Sequence, residues 1–312
     1  MKNIRILHTY AVLFLCTFFF FNTLSAQTDQ DAIMMAKNNF CTGLTYDHSS
    51  WKDYWEGTFK RNNANLGTVS TNSFSVMGNY GISENLNLLV GLPYMETKAS
   101  AGTLHGMTGL QDLSLWLKWM PIEKKLGKGV IALYTIGGVS IPASNYTADF
   151  LPMSIGLGSK TASGRVLVDY QLGHFFVTGG YTYTWRSDIT ISRTAYYTTE
   201  LILSNKVDMP DMDALTLRSG YRSGRLIAEA VIINMKTLGG FDIRKNDMPF
   251  PSNTMNATTI AANFKYNIAK VDGLSIIGGA NTVIAGRNIG QSAGFDTGVF
   301  YILDFSPKSK KK

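Results

Sequence analysis

The sequence is poor in charge, in cysteine and in long hydrophobic runs. Only 16% of its 312 residues are charged, and only two are cysteine. Because Cys16 lies in an apolar N-terminal stretch that we expect to be removed, Cys41 is left without an internal disulfide partner. Beyond residue 26 no run reaches the roughly 20 apolar residues that a membrane-spanning helix needs. These absences argue against a disulfide-stapled domain and against a helical membrane protein.

The net charge of +7 is concentrated at the two ends of the chain. Lys2 and Arg5 stand near the start, and four lysines lie within the last five residues. The body between them is therefore almost neutral. A nucleic-acid surface needs Lys and Arg clustered on a folded face, so we expect no nucleic-acid partner.

The first 26 residues have the pattern of a secretory signal peptide. Lys2 and Arg5 precede an apolar run at residues 11–21, and Ser25 and Ala26 offer small residues at a cleavage point. The run is too short to span a membrane comfortably as a helix. We therefore expect an exported protein from which residues 1–26 are removed.

Residues 295–305 alternate as a β-strand that has one apolar face. One row holds Phe295, Val299, Tyr301, Leu303 and Phe305, and the other mixes Asp296 and Asp304 with apolar residues. An apolar outer row beside a mixed inner row is typical of a membrane-spanning barrel strand. Phe305, in the row of Tyr301 and Leu303, resembles the C-terminal assembly signal of outer-membrane barrels. The barrel assembly machinery is thus an expected partner.

Similar alternating segments recur along the chain, each about as long as the 9–11 residues that a tilted spanning strand needs. Short connections alternate with long ones, as short periplasmic turns alternate with longer extracellular loops. The first long connection is predicted to begin at Asp47, and residues 121–128 are predicted as a further connection. With residues 38–46 as the first strand the count is about twelve, while residues 55–61 compete for that place.

These patterns predict an all-β fold, a transmembrane antiparallel up-and-down barrel of about 12 strands. The barrel domain is expected over residues 27–305, followed by a Lys-rich periplasmic tail over residues 306–312. Both termini would then lie in the periplasm, and outer-membrane lipid would surround the strands.

Two stretches resemble a known family. Tyr80-Gly81-Ile82-Ser83 leads into Gly91-Leu92-Pro93-Tyr94, and Gly109-Leu110-Gln111-Asp112 leads into Lys118-Trp119. Together they look like the outer-membrane transporters of the MetA pathway of phenol degradation, a family similar in architecture to fatty-acid and toluene channels. The resemblance implies a bacterial outer-membrane barrel that passes small hydrophobic or aromatic compounds.

The predicted inner rows carry the candidate functional residues. A charged side chain on the lipid face costs roughly 2–4 kcal/mol for Arg or Lys at the midplane, so charges are expected inside. The candidate pore-lining residues are Asp112, Lys118, Arg165, Asp169, Arg186, Arg218, Arg222, Glu229 and Lys265.

Two functions are compatible with such a lumen. One is a passive channel for small hydrophobic solutes, and the other is a structural or binding barrel with a closed lumen. No His falls within a clean predicted strand, so we expect no catalytic Ser–His pair and no enzyme activity. No metal-ligand spacing is recognisable, so neither a metal nor a cofactor is expected.

Overall fold

The protein is described by a computed structural model that covers residues 28–245 and 247–307. The predicted signal peptide and the lysines of the tail fall outside these residues. Twelve long strands account for most of the fold. They are β1 (Asn39–Trp51), β2 (Val69–Ser83), β3 (Leu86–Ala99), β4 (Asp112–Leu126), β5 (Gly129–Pro142), β6 (Thr161–Leu172), β7 (Phe175–Arg186), β8 (Met212–Arg222), β9 (Leu226–Thr237), β10 (Asn256–Asn267), β11 (Leu274–Arg287) and β12 (Ala293–Asp304).

Each strand pairs antiparallel with its neighbours in sequence, and the last strand closes the sheet on the first. The closing register runs from Asn39 opposite Asp304 to Ser50 opposite Ala293. The predicted twelve-stranded antiparallel barrel is therefore confirmed. Within the described residues, no helix is long and apolar enough to cross a membrane.

The last strand shows the alternation that its sequence predicts. Val299, Tyr301 and Leu303 are exposed on the outer surface, whereas Phe300 and Ile302 are buried inside. Because side chains alternate across a strand, this one register places a whole apolar row on the outside. The outer row is what a barrel presents to lipid.

The predicted starting points of two connections were wrong because the strands before them continue further than expected. β1 extends to Trp51, so Asp47 and His48 lie in a paired strand, where His48 Nδ1 lies 2.8 Å from Asn72 Oδ1. β4 extends to Leu126, and only Gly127 and Lys128 turn the chain into β5. In both cases the adjacent strand extends equally far, so the backbone groups of the additional residues form hydrogen bonds with that strand instead of with water.

The two ends of the barrel differ. At the end where β1 starts and β12 finishes, called the turn end, the strands are joined by short turns. At the opposite end, called the loop end, the connections are long except for residues 288–292 between β11 and β12. The competing first strand falls here, within a small hairpin made of Asp53–Glu56 and Phe59–Asn62.

The loops pack on one another and cover the loop end. Ile189, Val207 and Phe250 come from two loops and form one buried cluster with Ala148 from a third. A second loop cluster centres on Met153 and Leu66. We call this covered region the cap.

Candidate functional site

Residues 28–38 do not join the barrel wall but enter its interior from the turn end. We call this stretch the lumenal segment. Met35, which is 1% exposed, packs in a cluster with Cys41, Phe300 and Ile302 near the turn end. Further along, Tyr134 donates from its hydroxyl to Ala32 O at 3.0 Å. The segment therefore rises from the start of β1 into the middle of the lumen.

Gly81 lets the lumenal segment approach the wall. Asn38 N donates to Gly81 O at 2.8 Å, and a Cβ on Gly81 would lie 2.0 Å from Ala36 O. No side chain fits in that space. The glycine is thus required by close backbone approach, a recognised reason for glycine within a strand.

The lumenal segment is held by two cations of the wall. Lys118 Nζ donates to Asp31 Oδ1 at 2.8 Å and to Thr28 O at 2.9 Å, and its side chain is 0% exposed. Arg165 Nη1 pairs with Asp29 Oδ2 at 2.9 Å and also donates to Asp29 O. Charge-assisted bonds of this kind are roughly twice as strong as neutral ones.

Burial alone would raise the pKa of the Asp31 carboxyl, but the Lys118 ammonium, the Thr28 backbone N–H and the charge of Arg218 together outweigh that effect, and the pKa lies below its usual value. This shift favours the carboxylate form of Asp31, which is the form that pairs with a lysine ammonium. Asp31 therefore contributes an ionic contact to the attachment of the segment.

Two other arginines are paired within the wall. Arg218 Nη1 contacts Glu229 Oε1 at 2.6 Å, and Arg222 Nη1 contacts Asp169 Oδ2 at 3.1 Å. The guanidinium of Arg222 also lies 4.0 Å over the ring of Phe176, a cation–π contact. The wall thus neutralises these two arginines with its own carboxylates.

Two cavities lie beside the lumenal segment. One, of about 350 Å³, is lined by apolar side chains such as Phe176 and Ile277 and by Arg218 and Lys265; we call it the lumenal cavity. The other, of about 620 Å³, reaches the turn residues Lys128 and His174 and is called the turn-end cavity. Ala32, Ile33 and Arg222 line both, so they stand where the two cavities meet.

The predicted site residues therefore divide into groups. Six of them, together with Asp29 and Asp31, form the four ion pairs just described, and Lys265 lines the lumenal cavity. The remaining two lie at the loop end. Asp112 accepts from the Tyr146 hydroxyl at 2.7 Å, and the Arg186 side chain donates to Pro210 O at 3.4 Å, so both are engaged by loop residues.

The carboxylates of the lumenal segment were missed from the sequence. The one available signal was an excess of bases over acids among the predicted inner residues, which requires carboxylates from elsewhere. Asp47 and Asp296, which face one another across β1 and β12 and line the lumenal cavity, were not among the candidates. Within residues 28–245 and 247–307, no group of three or more metal-ligating side chains comes together.

No protein-family model matches the chain, and no curated protein does either. Solved structures match it. An outer-membrane channel from Pseudomonas putida F1 aligns with a TM-score of 0.72 at 14% identity, over 89% of this chain and 100% of that one. The β-domain of the Bordetella autotransporter BrkA aligns with a TM-score of 0.45 at 12% identity, over 85% and 99%. The TodX monoaromatic hydrocarbon channel aligns with a TM-score of 0.42 at 9% identity, over 87% and 91%. Only the first likeness is close enough to establish a fold, and it gives this chain the fold of an outer-membrane β-barrel.

Proposed function

We propose that this protein is a passive outer-membrane channel for small solutes. The main observation in support is that two adjoining cavities lie inside the barrel. A barrel whose interior served stability alone would be packed as densely as other protein interiors, which leave few voids larger than a water molecule. Here cavities of about 350 and 620 Å³ meet at the lumenal segment.

The apolar outer surface supports a location in the outer membrane. Alternate residues of the strands present large apolar side chains outward, among them Leu117, Val168 and Tyr181. In water such a surface would associate or aggregate, whereas lipid accepts it. The proposal includes a cleaved signal peptide and the turn end, with both termini, on the periplasmic side.

For the solute we propose small hydrophobic or aromatic compounds. The lumenal cavity mixes aromatic and aliphatic side chains with charges, which suits a narrow amphipathic path better than a wide aqueous pore. The resemblance of residues 80–119 to the transporters of the phenol-degradation pathway supports the same class. Five of the candidate pore residues line the two cavities, and they are the ones we propose for this path: Asp169, Arg218, Arg222, Glu229 and Lys265.

The alternative is a barrel whose lumen is closed. It is favoured by one observation: the cap covers the loop end while the lumenal segment occupies the interior. The two functions differ in whether a solute crosses, so permeability separates them.

Conductance in planar bilayers, with liposome swelling as a second readout, tests the proposal on the mature protein. We expect small, reproducible current steps. Replacing Arg218 and Arg222 together by Ala should alter ion selectivity and raise conductance, since Arg222 stands where the cavities meet. A matched control is Arg244→Ala, an exposed arginine of a loop. If the parent passes nothing and the double variant changes only thermal stability, the barrel is closed and the channel proposal is wrong.

A further inference from the structure

The four lumenal cations that form ion pairs with carboxylates fall into two classes. Arg218 and Arg222 are neutralised by carboxylates of the wall itself. Lys118 and Arg165 instead form their ion pairs with Asp31 and Asp29, which lie on the lumenal segment. Because the lumenal segment is not part of the barrel wall, its carboxylates can leave these two cations without opening the sheet.

Lys118 and Arg165 belong to one site. Ile136 lies between them in the register of β4, β5 and β6, so the three side chains share one inward row. At a spacing of about 4.8 Å per strand, the two Cβ atoms are roughly 10 Å apart. Two positive charges at this separation in a poorly hydrated interior repel each other. An anion held by either cation therefore relieves that repulsion.

Aromatic rings frame the two cations. The Arg165 guanidinium lies 5.3 Å from the centre of the Trp116 ring, and Lys118 Nζ lies 5.8 Å from that of Tyr134. The Trp116 ring lies flat across the neighbouring strand because Gly138 offers no side chain there: a Cβ would sit 1.9 Å from the ring. The row thus presents two positive charges on a surface of aromatic rings and one isoleucine.

We infer that Lys118 and Arg165 form a binding site for small carboxylates with an aromatic or apolar body, and that Asp29 and Asp31 occupy this site as an internal ligand. The chemistry follows from what the site already holds. Both cations seat carboxylate oxygens, while Trp116, Tyr134 and Ile136 offer the apolar contact that a bare inorganic anion cannot use. A carboxylate solute competes with the segment and replaces it at the cations.

This inference narrows the solute of the proposed channel and rests on that function for transport, but the binding itself can be measured separately. The internal ligand has a measurable consequence. If the segment occupies the site about 90–99% of the time, it weakens the apparent affinity for a competing carboxylate about 10- to 100-fold. Removing the negative charges of the lumenal segment should raise the apparent affinity for the carboxylate by the same factor.

The test uses the folded mature protein and calorimetric titration with sodium benzoate. Asp29 and Asp31 replaced together by Asn should bind benzoate at least about tenfold more tightly than the parent. Benzyl alcohol, which has the ring without the carboxylate, should show no such gain. Asp53→Asn with Asp247→Asn, two loop carboxylates outside the lumen, is the charge-matched control and should behave as the parent. Adding Arg165→Met to the lumenal variant should abolish the gain.

If the double variant does not fold, Asp29→Asn alone can be used, because it leaves the Lys118–Asp31 pair intact. It should bind benzoate more tightly than the parent, by a smaller factor than the double variant. No gain in either variant, or an equal gain for benzyl alcohol, overturns the inference. Conductance on the same samples separates the two ideas. Tighter benzoate binding without current would contradict the channel function but support the carboxylate site. Current without tighter benzoate binding would support the channel function and contradict the carboxylate site.

Discussion

At the scale of single residues, glycine decides where backbone and side chains can meet inside this barrel. A Cβ at Gly81 would lie 2.0 Å from Ala36 O, whereas a Cβ at Gly137 would meet nothing within 4 Å. The two positions are the same residue type in the same kind of strand, yet only one of them admits a methyl group. The difference is imposed by the lumenal segment, which passes beside Gly81.

Gly81→Ala should therefore push the lumenal segment away from β2. Overpacking a filled site costs typically about 1–3 kcal/mol, and we expect a loss of stability in that range. Gly137→Ala is the matched control, because both changes remove the same backbone freedom from the unfolded chain. Thermal unfolding in detergent measures the effect. Equal midpoints for the two variants would contradict the described path of the segment.

Individual charges were predictable as inward-facing, but their partners were not. The alternation of each strand placed Lys118 and Arg165 on inner rows, because a charge on the lipid face is costly. Arg218 and Glu229 lie on consecutive strands, so their pairing followed from the hairpin. The partners of Lys118 and Arg165 lie 87 and 136 residues away in sequence. Periodicity carries no information on such contacts.

At the scale of elements, the last strand closes the barrel. Its final aromatic, Phe305, follows β12 directly, and its backbone N donates to Asn38 O at 2.9 Å, which extends the closing ladder by one residue. Its side chain is 61% exposed on the outside. The placement agrees with the predicted row of Tyr301, Leu303 and Phe305, while the role of that row as an assembly signal stays a prediction.

Phe305→Ala should lower the fraction of assembled barrel, seen as loss of the heat-modifiable band on gels. Phe175→Ala is the matched control, since Phe175 is also at the turn end and is 69% exposed, but it begins an internal strand. Both variants lose similar apolar contact with lipid, so any larger defect in Phe305→Ala comes from its terminal position. Deleting residues 308–312 should do little. If that deletion harms assembly more than Phe305→Ala does, the assembly signal is misplaced.

Strand existence was easier to predict than strand length. The inner and outer rows follow from side chains within one segment, so the number of strands was accessible to sequence reasoning. The ends of β1 and β4 depend on how far the neighbouring strand continues to pair, which no local pattern reveals. Polar residues such as Asp47 and His48 read as loop in isolation, although they extend a ladder here.

At the scale of the whole molecule, the cap depends on contacts between distant loops. Asn288, which is 3% exposed, joins three of them. Its Oδ1 accepts from Gly57 N at 2.7 Å and from Ile243 N at 3.1 Å, and its Nδ2 donates to Asp242 Oδ1 at 2.6 Å and to Thr254 O at 2.8 Å. Its φ of 52° is left-handed, a conformation that Asn tolerates better than most residues. Since these loops are far apart in sequence, the cap could not be predicted from local patterns.

Asn288→Ala should therefore loosen the cap while leaving the barrel intact. Four hydrogen bonds are lost, each worth about 1 kcal/mol, so the local stability of the loop end should fall by roughly 2–4 kcal/mol. Hydrogen exchange followed at the backbone amides of Gly57 and Ile243 measures this, because local opening governs their exchange. The matched control is Asn267→Ala at the turn end, where one side-chain bond to Gly224 O is lost. Faster exchange confined to the loop end, with unchanged exchange in β6 and β7, is the expected result. Exchange that rises equally in strands and loops would mean that the cap and the barrel open as one unit, and that Asn288 stabilises the whole molecule and not its cap alone.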